Sequence, residues 1–178
     1  MKRMSWDVKD ENIVDDLVAL LCISSEECKL LQTLQQEAEK ISKRLVDEYY
    51  DLLIAHELTN EFITNLPALK STLAQWFVKL FCGNYDKDYA SDRLRIGMAH
   101  VRIGLPVRYP LAMFAVLDRY GVEVAEKGGE AAVNAFRKVL ALDVATFTQA
   151  YDNTQLNNLK DLVGGSGDLA RRLLHDEY

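Results

Sequence analysis

His100 stands in the run Arg95-Ile96-Gly97-Met98-Ala99-His100-Val101-Arg102-Ile103-Gly104-Leu105-Pro106, near the end of a predicted helix that a Gly-Leu-Pro sequence stops. Neutral imidazole is a good ligand for iron, and an acceptor on its second ring nitrogen fixes the tautomer and tunes the basicity. Carbonyls left free where the helix terminates are candidates for that acceptor. The chemistry in question is axial ligation of a haem iron, which an α-helical haem protein would hold from such a place. A solitary helical histidine also reads as a surface residue or a satisfied core residue, so its surroundings have to separate these readings. His56 lies in a predicted connection and would ligate only if that connection folded inward, and His175 follows a glycine-rich joint and reads as solvated. Cys22, Cys28 and Cys82 are odd in number and form no C-x-x-C, so they read as reduced, partly buried thiols.

The elements that must carry His100 are helices. With 49% hydrophobic and 27% charged residues, the chain has the composition of one packed domain. Prolines and glycines are few, and apolar residues recur at three- and four-residue spacings almost throughout. Ile13, Leu17, Leu20 and Leu21 mark a short first helix, and Ser24 with Glu27 is a capping-box start for the next. The apolar stripe from Leu30 to Leu53 predicts two successive helices ending near residue 55, with a polar connection at His56 to Asn60. Pro67 suits the first turn of a helix that carries Leu69, Leu73, Trp76, Phe77 and Leu80 and ends at Gly83. Helices over Asp86 to Ile103, Val107 to Glu126 and Glu130 to Val163 follow. Gly164-Gly165-Ser166-Gly167 reads as a flexible joint, and the charged tail after it has no obvious core partner. Acidic stretches at Asp7 to Glu11 and Asp86 to Asp92 read as solvated faces and helix starts.

Seven or eight helices of these lengths, with one histidine near the end of a helix two before the last, resemble a globin. More closely, His100-Val101-Arg102-Ile103-Gly104-Leu105-Pro106 resembles the proximal signature of the bacterial globin-coupled sensors, haem gas sensors in which a globin domain precedes a signalling domain. The similarity covers roughly residues 10 to 160 and includes the extra helix before the usual first globin helix. It implies an all-α globin fold that binds haem b (iron protoporphyrin IX) with His100 on the iron. It also implies a distal side made by the helices around Tyr50 and Leu69.

In that family the second member of an aromatic-tyrosine pair faces the gas, which assigns Tyr50, with Tyr49 as the alternative. A phenol donor in a dry pocket favours O2 over the less polar carbon monoxide. Leu69 and Thr72, one turn apart, hold the family's distal gate and a smaller polar group. Thr72 either bonds Tyr50 or a pocket water, or bonds its own backbone. Leu73, Phe62, Phe77 and Ile103 read as apolar haem wall or simply as core. One departure stands out: where the family shows an aromatic pair ending in tyrosine after Gly-Leu-Pro, this chain has Tyr109-Pro110, so either Tyr109 substitutes from a neighbouring position or that proximal contact is absent.

The expected function is a haem-based O2 sensor domain over residues 1–163, with 164–178 as joint and tail leading to an output domain, a diguanylate cyclase by analogy. O2, CO and NO are the expected ligands. The resemblance implies a homodimer through the last two long helices, and the apolar residues on both sides of Phe136 to Tyr151 suit that double contact. A net charge of -6 argues against nucleic-acid or anionic-membrane partners. No run of 18 apolar residues occurs and the start turns acidic at Asp7, so a cytoplasmic protein is expected. Two alternatives remain open: a free-standing globin performing redox chemistry on oxygen or nitric oxide, and a haem-free helical interaction module.

Overall fold

The computed structural model describes residues 12–174, so the expectations for the acidic stretch at Asp7 to Glu11 and for His175 fall outside the described residues. Every regular element among the described residues is helical: α1 Ile13–Leu20, α2 Ser25–Gln32, α3 Gln35–Ala55, α4 Glu57–Asn60, α5 Leu66–Lys79, α6 Lys87–Arg102, α7 Arg108–Ala125, α8 Glu130–Leu162 and α9 Gly167–Leu174. Local chemistry explains most boundaries. Ser24 Oγ accepts from the Glu27 amide at 3.2 Å while Glu27 Oε2 accepts from the Ser24 amide at 2.8 Å, closing the expected capping box on α2. Pro67 occupies the first turn of α5, and Asp86 caps α6 by accepting from the amides of Asp88 and Tyr89.

Three details differ from the sequence reading. The connection after α3 is itself a single helical turn, α4, anchored by buried Thr59, whose hydroxyl donates to the Leu53 carbonyl at 2.6 Å. α5 stops at Lys79, and turns carry the chain to Gly83, which holds φ +71 where a Cβ would sit 2.7 Å from the Cys28 carbonyl. After Gly164 and Gly165, both at positive φ, the chain is helical again. α9 packs back on α8 with Ala170 fully buried, so part of the tail does have a core partner.

α8 is the central post of the fold, in contact with α1, α2, α6, α7 and α9. This explains why its apolar residues occupy more than one side. Phe136, Val139, Leu140, Leu142 and Phe147 are buried within this single chain, so the double-sided pattern is used inside the fold whether or not a second subunit is present. Phe136 stacks on Phe81 with centroids 5.3 Å apart and lies over Gly121 of α7, where any Cβ would collide with its ring. At the α6–α8 crossing, Gly97 faces the Phe147 carbonyl and the Ala150 methyl so closely that a Cβ would sit 2.6 and 2.7 Å from them.

Candidate functional site

Two local structures hold His100. The end of α6 closes with Leu105 N–H donating to the His100 carbonyl (3.1 Å) and Gly104 N–H donating to Val101 (2.9 Å), with Gly104 at φ +73. This glycine-dependent cap uses up terminal carbonyls that the sequence reading offered to the imidazole. The acceptor is instead the Ile96 carbonyl one turn back, 2.8 Å from His100 Nδ1. A carbonyl can only accept, so Nδ1 carries the proton and Nε2 keeps the lone pair. Burial pushes the imidazole pKa down against that hydrogen bond, keeping the ring neutral. Phe147 meets the ring edge-on at 5.3 Å, and Tyr151 fixes the following turn by donating to the Leu105 carbonyl at 3.0 Å.

His100 forms part of the wall of a cavity with about 970 Å³ of empty space, its open mouth included. That lies within the size range of small-molecule and cofactor sites. From α3 come Tyr49, Tyr50 and Leu53, and from the α4 region Thr59, Phe62 and Ile63. α5 supplies Leu69, Thr72, Leu73 and Trp76, and the α6 side adds Ile96, Ile103 and Leu105. Tyr109, Pro110, Met113, Phe114 and Leu117 of α7 and Phe147 of α8 complete it. The lining is apolar apart from His100, the tyrosines and two threonines, the surface a largely hydrophobic planar group requires.

Of the nine residues singled out from sequence, His100, Tyr50, Leu69, Thr72, Leu73, Phe62, Ile103 and Tyr109 converge on this cavity. Phe77 does not: it is fully buried beside Phe81, with centroids 5.8 Å apart. The α5 stripe is shared between the cavity and the core behind it, and Phe77 falls on the core side. Tyr49 and Tyr50 both line the cavity and touch edge to face at 5.5 Å. Burial raises both phenol pKa values, that of Tyr50 to about 12 and that of Tyr49 further, so both remain protonated donors. Neither hydroxyl hydrogen-bonds another described residue. The Thr72 hydroxyl donates to the Ala68 carbonyl at 3.0 Å, the local bond expected of a helical threonine. Tyr109 lines the cavity with the Arg108 guanidinium 4.6 Å over its ring. His56 is exposed and lies against the Tyr109 ring (5.7 Å) outside the cavity wall.

Trp76, Phe114 and Phe147 were not read as wall residues from sequence. Trp76 stands on the stripe with Leu69 and Leu73 and was accessible to helical spacing. Phe114 and Phe147 depend on how α7 and α8 cross α6, which no local pattern encodes. Behind the wall, Arg93 Nε donates to Asp143 Oδ1 at 2.5 Å and Tyr89 OH donates to the same oxygen at 2.5 Å. Arg93 also donates to the Trp76 carbonyl at 3.3 Å. This buried cluster ties α5, α6 and α8 together beneath the cavity. Burial drives the Asp143 carboxyl pKa up while Arg93 opposes it.

Among the described residues no group of three or more His, Cys, Asp or Glu could hold a metal ion. No described helix is long and apolar enough to cross a membrane. The sequence profile described as Protoglobin matches residues 10–157. The chain is 27% identical to the heme-based aerotactic transducer HemAT of Halobacterium salinarum, across 98% of this chain and 37% of that protein; it therefore spans little more than a third of that relative's length. The globin domain of the Geobacter sulfurreducens globin-coupled sensor superposes with a TM-score of 0.72 at 29% identity, covering 77% of this chain and 96% of that one.

Proposed function

Because the chain belongs to the protoglobin family and has an all-helical globin fold, we propose that it binds haem b in the cavity and acts as a haem-based gas sensor for O2. The observation that carries this is His100: a neutral, Nδ1-protonated imidazole on the wall of an apolar cavity that two phenol donors also line. When bound, haem would supply an iron able to coordinate an imidazole and a diatomic gas, with His100 as the residue that would hold it. The chain does the rest. His100 presents the Nε2 lone pair, and the Ile96 carbonyl prevents the ring from turning. Tyr50 donates a hydrogen bond that favours polar O2 over CO, with NO as a further ligand, and Leu69 keeps bulk water away. Tyr49 is the second donor available on the same wall.

Movement of His100 has two direct exits, the Phe147 ring contact and the Tyr151–Leu105 hydrogen bond, and both lead into α8. Packed helices respond to such a displacement by switching between discrete arrangements, and a coupling of about 1–3 kcal/mol alters an attached activity several-fold. The regulated activity belongs to the same proposal: a cytoplasmic homodimer through the outer faces of α7 and α8, governing a diguanylate cyclase. The aerotactic transducer among the relatives supports a second reading, in which the governed part is a chemotaxis transducer.

The test is reconstitution with haem. The protein is expected to show an intense Soret band that titrates to one haem per chain, and His100→Ala is expected to lose it or shift it to a weakly ligated form. A well-folded protein with no Soret band after haem addition, or a band unchanged in His100→Ala, overturns the reading.

A further inference from the structure

Thr72, Trp76 and Ile96 of the cavity wall also line a second, polar cleft between α5 and α6. Resting on the haem reading above, we propose that this cleft binds the two propionate carboxylates of the haem, with Lys79 and Arg95 as their counter-ions. Ionised carboxylates cannot be left in an apolar slot without several kcal/mol of desolvation cost, so the carboxylate edge must leave the cavity where cations border it.

Lys79 and Arg95 share a single acid in the cleft: Lys79 Nζ lies 2.5 Å from Asp92 Oδ2, and Arg95 Nη2 lies 3.0 Å from Asp92 Oδ1. Two cations on one carboxylate leave an excess positive charge at the edge of the slot. Arg93 also borders the cleft, but its guanidinium is committed to Asp143 and to the Trp76 carbonyl. Lys79 and Arg95 keep 51% and 78% side-chain exposure, so they can swing toward a new anion without breaking a buried pair. Thr72 and Gln75 add neutral polar atoms on the same rim. Arg108, next to the cavity residue Tyr109, is already stacked on that ring.

The experiment compares haem with its dimethyl ester, in which both carboxylates are neutralised. Each is loaded into the apo-protein, and the rate of transfer to an excess of a haem-scavenging globin is measured. For Lys79→Met/Arg95→Met, haem is expected to leave faster by roughly two- to tenfold, the scale of partly exposed ion pairs. The ester is expected to leave both proteins at the same rate. Circular dichroism and the urea midpoint show whether the variant folds, and Lys79→Arg/Arg95→Lys is expected to retain the wild-type haem rate. No acceleration, equal acceleration for haem and ester, or an ester-insensitive site that shifts to Arg108→Met overturns the inference. A wild-type protein that binds neither haem nor ester overturns the haem reading itself and is distinguished by the missing Soret band.

Discussion

Gly97→Ala is the most informative single perturbation, because two opposing effects give opposite signs. In an isolated helix the change stabilises by about 1 kcal/mol, since glycine loses more backbone freedom and offers nothing in return. Here the added methyl would lie 2.6 Å from the Phe147 carbonyl oxygen and 2.7 Å from Ala150 Cβ. To reach an ordinary contact of 3.4 Å, α6 and α8 must separate locally by 0.8 Å. The nearest obstacle is backbone, which cannot rotate away as a side chain does. Overpacking of this kind costs about 1–3 kcal/mol, and a carbonyl obstacle belongs in the upper half of that range. Subtracting the helix gain leaves a net loss of about 1–2 kcal/mol. For a chain of this size that corresponds to a Tm lower by roughly 2–8 °C. Urea denaturation followed by circular dichroism measures the free energy, and calorimetry the Tm. Gly97→Val, which adds bulk without the alanine propensity, is expected to lose more. If Gly97→Ala equals or exceeds wild-type stability, the close α6–α8 crossing is wrong, and with it the placement of Phe147 against His100.

Two further outcomes follow from the cavity and the cluster behind it. Tyr50→Phe is expected to speed O2 dissociation from the reduced, haem-loaded protein much more than CO dissociation, as measured by stopped-flow displacement; equal effects on both gases refute the donor role, and a larger effect in Tyr49→Phe moves it to the neighbour. Asp143→Ala strands the Arg93 guanidinium and is expected to cost about 3–5 kcal/mol in urea unfolding, while Arg93→Met/Asp143→Leu restores most of that loss, because a buried pair contributes little net stability against apolar replacements. A double variant as unstable as the sum of the singles would show that the cluster does more than balance charge.

Most helices were legible because their signals are local. The Ser24–Glu27 capping box, Pro67 in a first turn, Asp86 at an N-cap and Gly104 at a C-terminal closure act through atoms a few residues apart, so their spacing in the chain is their spacing in space. The α3 and α5 stripes likewise carried Tyr50, Leu69 and Leu73 to the cavity. What sequence spacing could not resolve was a stripe serving two neighbours. Leu73, Trp76 and Phe77 share one side of α5, yet Trp76 lines the cavity and Phe77 packs on Phe81. The apolar girth of α8 likewise serves several neighbours, five helices of the same chain.

The sequence by itself determined that the chain is helical, where most of its longer helices begin and end, and that His100 sits one turn before a glycine cap. Tertiary structure decided which carbonyl fixes the imidazole, which aromatic rings face it and which wall residues the cavity shares with a charged cleft. The reason is that caps and periodicity are set within a few residues, whereas Phe147 reaches His100 only because Gly97 lets two distant helices touch backbone to side chain.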